Sequence, residues 1–444
     1  MKKIFVLMIG ILCSVVFFAS CEKSDSEQAR TFGVKVQLRY PEGSPIGVTE
    51  GVEVKLANTM GSIYTDLTDA EGVAIFDVPA GIYEASASET RALDGYSYIF
   101  NGIQSGITIT DGWIGGGVVD LALTESKSGQ LVIKELYVGG CPKDDDPSKT
   151  FAMDKYVILY NNSSSRLDLS NFCLGMVNPY NANSQTNDYV NGKLSYADLG
   201  YIPAGQAIWY LPKHMVIEPY SDVVVAMNGA IDHTKTYSQA VDLSSADYAC
   251  YDIDVFSHTS YYPTPSEKIP TDCWFKAYKY GQGTGWALSQ VSPAFFVFST
   301  KGQSPVEFAS GTDYHYTAGK EGNIVYACAK VPTDWILDGI EVFNTKYEGL
   351  NKKRLTPAVD AGYIMTSQGK SYSLYRNVNK EATEALPENK GKLVYGYAMG
   401  VENSTDPSGI DAEASIRNGA RIIYMDTNNS TNDFHQRSRA SIRQ

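Results

Sequence analysis

Apolar and polar residues alternate in two short segments near the start of the chain, Val34–Leu38 and Val52–Leu56. A period of two is the pattern of a half-buried β-strand, because successive side chains point to opposite faces of a sheet. A later segment, Pro293–Phe298, is continuously apolar. Such a run is typical of a buried strand. The pattern therefore predicts an all-β protein with more than one sheet.

Turn residues separate the early strands. Asp69-Ala70-Glu71-Gly72 has the composition of a tight turn, since glycine adopts a positive φ at little cost. Strands carrying Val73, Ile75 and Tyr83 are predicted on either side of a second turn, Pro79-Ala80-Gly81. This part of the chain therefore predicts strands separated by tight turns.

This arrangement resembles the transthyretin-like, carboxypeptidase-regulatory-like sandwich. The shared features are a Thr-Asp-x-x-Gly turn, an apolar-x-Phe strand ending at Phe76, and a Pro-x-Gly-x-Tyr turn ending at Tyr83. The resemblance implies a first domain over residues 31–124. In that family such domains serve as spacers or stalks beside transporters, capture lipoproteins and peptidases.

A second domain is expected over residues 130–444. Gln130–Gly140, followed by Asp154–Leu174 with its Asn161-Asn162-Ser163 turn, resembles the lamin-tail domain, an immunoglobulin-like sandwich. The segment exceeds 300 residues, so the resemblance implies a sandwich enlarged by long insertions. With the Asp426–Phe434 ending, the two domains resemble an uncharacterised family of Bacteroidetes surface lipoproteins, whose members tend to be encoded near TonB-dependent receptors.

The first residues predict export. Two lysines precede an almost wholly apolar run, Ile4–Phe18, which is too short for a membrane span of ~20 residues. Ala19-Ser20-Cys21 resembles the lipobox of bacterial lipoproteins, which implies a signal peptide over 1–20 and acylation of Cys21. Residues 21–30 are polar and acidic and are expected to be a tether. The resemblance implies an outer-membrane lipoprotein that faces the exterior.

Charge and cysteine content limit the possible functions. The net charge of −13 becomes −13 − 2 = −15 once Lys2 and Lys3 are removed, which argues against nucleic-acid partners. Beyond the export segment, the five cysteines lie far apart, without Cys-x-x-Cys, so that a zinc site is not expected. Two alternatives are equally weighted for these residues: they form up to two disulfides, or they are buried free thiols. The five residues are Cys141, Cys173, Cys250, Cys273 and Cys328.

Aromatic residues are concentrated in one stretch with loop character, between residues 261 and 286. Aromatic faces bind sugars, porphyrins and partner proteins, and loops on a rigid sandwich often carry binding sites. The candidate ligand-binding residues are Tyr261, Tyr262, Trp274, Tyr278 and Trp286. The alternative is that these side chains belong to the core.

Two acidic segments are candidates for calcium, since this ion prefers 6–8 oxygen ligands. Asp144, Asp145 and Asp146 are consecutive, and a solvated acidic loop is the alternative. Residues 426–433 are rich in Asp, Asn, Ser and Thr, for which a turn stabilised by side chains is the stronger interpretation.

The sequence contains no arrangement typical of catalysis: no paired metal histidines, nucleophile elbow or phosphate loop. A non-enzymatic binding protein is therefore predicted, which would capture a nutrient or metal complex as the accessory of a TonB-dependent transporter. The alternatives are a structural or adhesion scaffold and, less favoured, a hydrolase.

Overall fold

The computed structural model describes residues 30–93, 96–113, 116–127, 129–190, 192–311, 313–401 and 403–443. Strands dominate these residues, and the few helices are short. The all-β sandwich class predicted from the alternating pattern is thus confirmed. The predicted signal peptide and Cys21 lie outside the described residues.

The first body is a two-sheet sandwich. Its strands are β1 (Thr31–Arg39), β2 (Glu53–Asn58), β3 (Ile63–Leu67), β4 (Val73–Pro79), β5 (Gly81–Leu93), β6 (Tyr96–Ile109), β7 (Gly117–Ala122) and β8 (Thr124–Lys127). One sheet has the order β4-β1-β7 and the other β3-β2-β5-β6-β8. Alternate side chains of both sheets meet in one apolar core that includes Val34, Val36, Phe76 and Tyr83.

The predicted turns of the first body are present. Gly72 has a φ of 77° and its N–H donates to the Asp69 carbonyl at 3.0 Å, while the Asp69 carboxylate accepts from the Val73 N–H at 2.9 Å. Tyr83 is buried, and its hydroxyl donates to the Pro79 carbonyl at 2.8 Å. That bond fixes the Pro79–Gly81 turn and explains why a tyrosine follows it.

The second body contains the remaining strands: β9 (Leu131–Tyr137), β10 (Cys141–Pro142), β11 (Thr150–Phe151), β12 (Tyr156–Asn161), β13 (Leu167–Leu169), β14 (Phe172–Met176), β15 (Tyr189–Val190), β16 (Lys193–Leu194), β17 (Tyr201–Gly205), β18 (Ala207–Tyr210), β19 (Met215–Ile217), β20 (Asp222–Ala226), β21 (Tyr248–Cys250), β22 (Trp274–Lys279), β23 (Ala294–Ser299), β24 (Tyr314–His315), β25 (Cys328–Pro332), β26 (Ile336–Asn344), β27 (Ile364–Thr366), β28 (Ser373–Arg376) and β29 (Phe434–Arg437). Its α-helices are α1 (Pro305–Ala309), α2 (Lys380–Glu384), α3 (Ala412–Arg417) and α4 (Ser430–Asp433). Six 3-10 helices span His233–Lys235, Thr271–Cys273, Ile324–Tyr326, Thr333–Trp335, Thr345–Leu350 and Pro387–Asn389.

Twelve of these strands form one sheet, in the order β27-β26-β23-β14-β18-β22-β21-β20-β12-β9-β28-β29. The sheet folds back on itself, so that β27 lies against β29 and β26 against β9. Its inner face encloses a core of aliphatic and aromatic side chains, among them Leu159, Trp209, Phe275 and Phe295. The apolar run that ends at Phe298 forms β23 and is buried, as its composition predicted.

A smaller sheet, β17-β25-β24, covers part of the outside of this large sheet. It packs on the outward side chains of β14, β18 and β23, including Ile208, Phe296 and Phe298. These strands are therefore buried on both faces, which explains their continuous hydrophobicity.

The seam where β26 approaches β9 and β28 is closed by Arg376 and Asp338, both nearly fully buried. The Asp338 carboxylate accepts from the Ile133 N–H of β9 at 2.6 Å, and the Arg376 Nε donates to the Ile133 carbonyl at 2.7 Å. The two side chains also bond to each other. They thus satisfy backbone groups that strand pairing leaves open at this seam.

The two bodies meet beside residues 426–433. The Asn101 side chain of β6 is buried and donates to the Thr427 carbonyl at 2.7 Å. Asp433 accepts hydrogen bonds from the Thr427 N–H and hydroxyl at 2.9 and 2.7 Å, and Asn429 caps α4. The segment therefore forms a turn stabilised by its own side chains, which is the stronger of the two predicted interpretations.

No helix among the described residues is long and apolar enough to cross a membrane. All five cysteines of the described chain are free thiols, and four of them are buried. Of the two alternatives left by the sequence, the structure has the free thiols.

Candidate functional site

A cleft of about 530 Å³ opens at one end of the large sheet of the second body. The backbone positions it: the Val177 N–H donates to the carbonyl of Ala294, the first residue of β23, and the next residue, Asn178, lines the cleft. Four separate segments supply its walls. The lining side chains used below are Asn178, Tyr180, Gln185, Thr186, Gln206, Gln282, Thr317, Lys320, Tyr326 and Cys328.

Two close backbone approaches shape the cleft. Gln206 occupies the turn between β17 and β18 with a φ of 65°, a conformation that non-glycine residues adopt rarely. Its carbonyl accepts from the Tyr280 and Gly281 N–H groups at 3.0 and 2.8 Å. A Cβ on Gly205 would lie 2.5 Å from the Asn178 side chain, and one on Gly281 would lie 2.9 Å from the Gln206 Cα. Glycine at both positions lets the walls approach.

Three glutamine side chains face the cleft without internal partners. Within the described part of the protein, the amides of Gln185, Gln206 and Gln282 make no hydrogen bonds. An amide presents both a donor and an acceptor. The cleft therefore offers several unoccupied pairs of donor and acceptor, and none of its described lining residues is Asp or Glu.

Two tyrosines provide ring surface beside these amides. Tyr180 is 45% exposed and its hydroxyl donates to the Leu288 carbonyl at 3.1 Å, which fixes the ring. Tyr326 is 41% exposed, and the Lys320 Nζ lies 5.2 Å from its ring centroid. Both rings thus keep part of their faces open to a ligand.

A buried carboxylate lies under the cleft. Asp188 accepts hydrogen bonds from the Thr186 and Thr317 hydroxyls, both at 2.9 Å, and its other oxygen lies 3.1 Å from the His315 Nε2. The His315 Nδ1 lies 3.2 Å from the Tyr201 hydroxyl. Burial raises the pKa of Asp188, but the bonds from His315, Thr317 and Thr186 outweigh it, so that the pKa is lowered. Asp188 thereby holds two lining residues in place as an ionised group.

Arg354 supports the opposite wall. Its guanidinium donates to the carbonyls of Pro179 and Tyr180 at 2.8 and 3.3 Å and to Ser292 at 2.7 Å. It also pairs with Glu341 at 2.8 Å, and both side chains are almost completely buried. The rigid ion pair therefore anchors the cleft wall that carries Tyr180 to the large sheet.

Groups beside the cleft that could act as nucleophiles are held in their protonated forms. Burial raises the pKa of the Cys328 thiol to about 12, so that little thiolate forms near neutral pH. Burial also raises the pKa of Tyr201. Among the described residues, no group of three or more His, Cys, Asp or Glu side chains is placed to hold a metal ion. The arrangement favours hydrogen bonding over nucleophilic chemistry.

Comparison with known proteins identifies the family of this chain. A family described as "Protein of unknown function (DUF4876)" matches residues 218–441, about half of the chain. This chain belongs to the DUF4876 family. The matched segment includes Gln282, Lys320 and Tyr326 of the cleft but begins after Gln206.

A solved structure of the same family shares the fold. The 2.50 Å crystal structure of a DUF4876 family protein from Bacteroides thetaiotaomicron VPI-5482 matches with a TM-score of 0.51 and 19% identity, over 91% of this chain and 94% of that chain. The Bacillus anthracis TIE protein matches with a TM-score of only 0.16 and 14% identity, over 45% of this chain and 29% of that chain, and carries no argument. No curated protein matches the chain. The transthyretin-like and lamin-tail-like resemblances are not among these findings.

The five aromatic residues that the sequence predicts to bind a ligand do not share one pocket. Tyr262 and Trp286 are buried in the core, where the Trp286 N–H donates to the Tyr262 hydroxyl at 3.0 Å. Trp274 and Tyr278 lie on β22, a strand, and not on the loop that the composition suggested. Trp274 packs on Tyr251 with ring centroids 5.0 Å apart, and Tyr278 packs under the small outer sheet.

Tyr261, the fifth predicted aromatic residue, does not line the cleft among the described residues. It is partly buried against the core, and its ring centroid lies 4.4 Å from that of His258. The neighbouring cleft residues Gln282 and Gly283 lie within the predicted 261–286 stretch. The stretch thus contributes to the cleft, but through residues that sequence reasoning did not select.

The three adjacent aspartates lie on the loop between β10 and β11 and have different partners. Asp144 accepts from the Ser238 N–H and hydroxyl at 2.7 and 2.9 Å, whereas Asp146 accepts from the Ser148 hydroxyl at 2.6 Å and pairs with Lys149. Asp145 is exposed. The structure therefore does not bring these carboxylates together around one point.

Proposed function

We propose that this DUF4876 protein is an outer-membrane lipoprotein, acylated at Cys21 and facing the cell exterior, that captures a neutral polyhydroxylated nutrient such as an oligosaccharide. The supporting observation is the group of three glutamine amides that have no hydrogen-bond partner among the described residues, in a cleft whose described lining contains no carboxylate and is flanked by two open tyrosine rings. In this proposal the protein passes the nutrient to a TonB-dependent transporter.

The chemistry of a sugar matches these groups. Each sugar hydroxyl both donates and accepts, as does each amide, so Gln185, Gln206 and Gln282 can pair with hydroxyls in either direction. The C–H faces of a sugar ring are apolar and can lie on the exposed faces of Tyr180 and Tyr326. The cleft volume of about 530 Å³ also falls in the range of ~300–1,000 Å³ typical of ligand sites.

A saccharide fits better than the metal complex that the sequence left open. A charged complex would need several compensating charges, and Lys320 is the one charged side chain among the described lining residues. A scaffold without a ligand would need no unpaired amides in a concave site. We therefore favour capture over adhesion and over hydrolysis.

The cleft is tested by isothermal titration calorimetry of the purified protein against malto-, manno- and xylo-oligosaccharides. We expect one class to bind, and Gln282→Ala or Tyr326→Ala to weaken its binding by about two- to tenfold, since a lost hydrogen bond or ring contact costs about 0.5–1.5 kcal/mol. Gln303→Ala is the matched control, because Gln303 is exposed beyond the opposite end of β23. Failure of the whole panel at millimolar concentration, or equal losses in the control, would overturn the saccharide proposal.

Anchoring and transport are tested separately. The acylated protein is purified from native outer membrane, and co-purifying proteins and the mass of its N-terminal peptide are measured. We expect a lipid-modified Cys21 peptide and a stoichiometric TonB-dependent receptor, both lost in Cys21→Ser. An unmodified peptide refutes the anchor, while a modified peptide without a transporter refutes only the uptake role.

A further inference from the structure

Exposed apolar side chains lie beside the start of the described chain at one end of the first body. Thr31 of β1 pairs with Pro79 at the end of β4, and Gly81 of β5 pairs with Ile109 at the end of β6. The hairpin between β2 and β3 reaches the same end, because the Thr59 N–H donates to the Ile82 carbonyl at 3.2 Å. Strand register therefore places Arg30, the β2–β3 hairpin and Ile82 together.

Three side chains of this end are apolar and solvated. Met60 is 84% exposed, Ile63 is 65% exposed and Ile82 is 50% exposed. Ile63 and Ile82 alternate with the buried or half-buried Tyr64 and Tyr83, so both point away from the core of the sandwich. We call Met60, Ile63 and Ile82 the apolar tip.

The second body packs along the same sheet. Ser88 of β5 pairs with Asn101, which is buried against the Thr427 carbonyl of the second body, and Ala361–Tyr363 share a pocket with β5 as far along as Glu84. Glu84 lies two residues from Ile82, yet Ile82 remains 50% exposed and Met60 and Ile63 more so. The second body therefore stops short of the apolar tip.

Chain length determines what can cover it. Arg30 follows Cys21 by 30 − 21 = 9 residues, which span at most about 30 Å when fully extended. The exposed Arg30 and Asp111 side chains at this end pair at 3.5 Å, so the tip carries little net charge from them. An acyl chain on Cys21 thus keeps the tip within reach of the membrane surface.

Resting on the acylation of Cys21 proposed above, we infer that the apolar tip docks on the lipid surface, while the nutrient cleft belongs to the body that does not carry the tip. The first body meets the second in two pockets, one that Glu125 lines with Ile336 and one that Glu84 lines with Ala361–Tyr363. None of the described residues of the nutrient cleft lines either of these junction pockets.

Lipid contact is measured on the full acylated chain reconstituted into phosphatidylethanolamine–phosphatidylglycerol vesicles that contain spin-labelled lipid. A fluorophore is attached at Met60→Cys or, as the matched control, at Leu350→Cys, which is 63% exposed in the second body. Both variants carry Cys273→Ser, since Cys273 is the half-exposed thiol of the five. We expect strong quenching at position 60 and none at position 350.

Two further results separate the tip from the anchor. Ile63→Asp with Ile82→Asp should abolish quenching at position 60 while the protein still floats with the vesicles, because carboxylates resist transfer into lipid. Equal quenching at positions 60 and 350, or quenching that survives both aspartates, would overturn the inference. Loss of flotation in the parent protein would instead show that acylation fails, and the inference with it, whereas calorimetric binding to the cleft would be unaffected.

Discussion

Replacement of Arg354 by methionine tests whether the cleft wall depends on a buried ion pair. Methionine has a similar length but carries no charge and donates no hydrogen bond. Arg354→Met removes the contact to Glu341 at 2.8 Å and the donors to the Pro179 and Ser292 carbonyls. Glu341, which is fully buried, then keeps only the Arg354 and Leu355 backbone N–H groups at 2.9 and 2.8 Å.

The expected loss follows from that burial. Breaking a buried pair leaves an uncompensated charge, which costs about 3–5 kcal/mol, whereas an exposed pair contributes about 0–1 kcal/mol. Arg421→Met is the matched control, because the Arg421–Glu388 pair is 2.7 Å long but its side chains are 52% and 34% exposed. Both variants lose one arginine and one ion pair.

Urea unfolding followed by circular dichroism measures the free energy of unfolding of the parent protein and both variants. We expect a loss of about 3–5 kcal/mol for Arg354→Met and under about 1 kcal/mol for Arg421→Met. The double variant Arg354→Met/Glu341→Gln should lose less than the sum of its single variants, since the charges interact. If Arg354→Met costs no more than the control, the ion pair does not support the wall and this reasoning is wrong.

Two further predictions concern buried titratable groups. Burial raises the pKa of Asp154 from 3.8 to about 7. Between about pH 4 and 7 the folded protein therefore keeps a proton that the unfolded chain releases. The free energy of unfolding falls as the pH rises through this range. Asp154→Asn should remove up to about 4 kcal/mol of that pH dependence in unfolding curves, and an unchanged slope would contradict the prediction. A thiol reagent at pH 8 should modify Cys273 first, since it alone of the five free cysteines is not buried. Peptide mass spectrometry should find the other four modified only in urea. Rapid modification of Cys328 in the folded protein would show that the cleft floor opens.

The strands of the first body could be predicted because their signals are local. Alternation at Val34–Leu38 and the turns at Asp69 and Pro79 each depend on neighbouring residues alone, and the structure contains them as β1, a glycine turn and a tyrosine-fixed turn. The closure of the large sheet could not be predicted in this way. It depends on pairings such as Asp338 with Ile133, which lie 205 residues apart.

The aromatic stretch shows why composition misleads about a site. The segment that contains Trp274 and Tyr278 forms the strand β22, in which Phe275 and Ala277 are buried and alternate with half-buried neighbours. Tyr262 fills the interior because its hydroxyl finds a backbone partner at Trp286. A dense group of aromatics therefore indicates buried area as readily as binding.

The cleft carried no recognisable motif. Its glutamines lie at positions 185, 206 and 282, in separate segments, and glutamine is a common surface residue. What distinguishes them is the lack of internal hydrogen bonds beside a shaped concavity, and this property exists only in three dimensions. The positive φ of Gln206 gives no sequence signal either, since glycine is the residue that such a turn normally selects.

The polar groups around the cleft divide into two sets with opposite roles. Asp188 and Arg354 have partners for their charges, and they fix the walls. The glutamine amides have none, so they are the groups that a ligand can engage. A catalytic cleft would reverse this division, because a base or nucleophile must be free and have a pKa near the working pH. Here the pKa of Asp188 is lowered and those of Cys328 and Tyr201 are raised, each away from neutrality. We therefore expect the walls to be preformed and the ligand to be held by neutral hydrogen bonds.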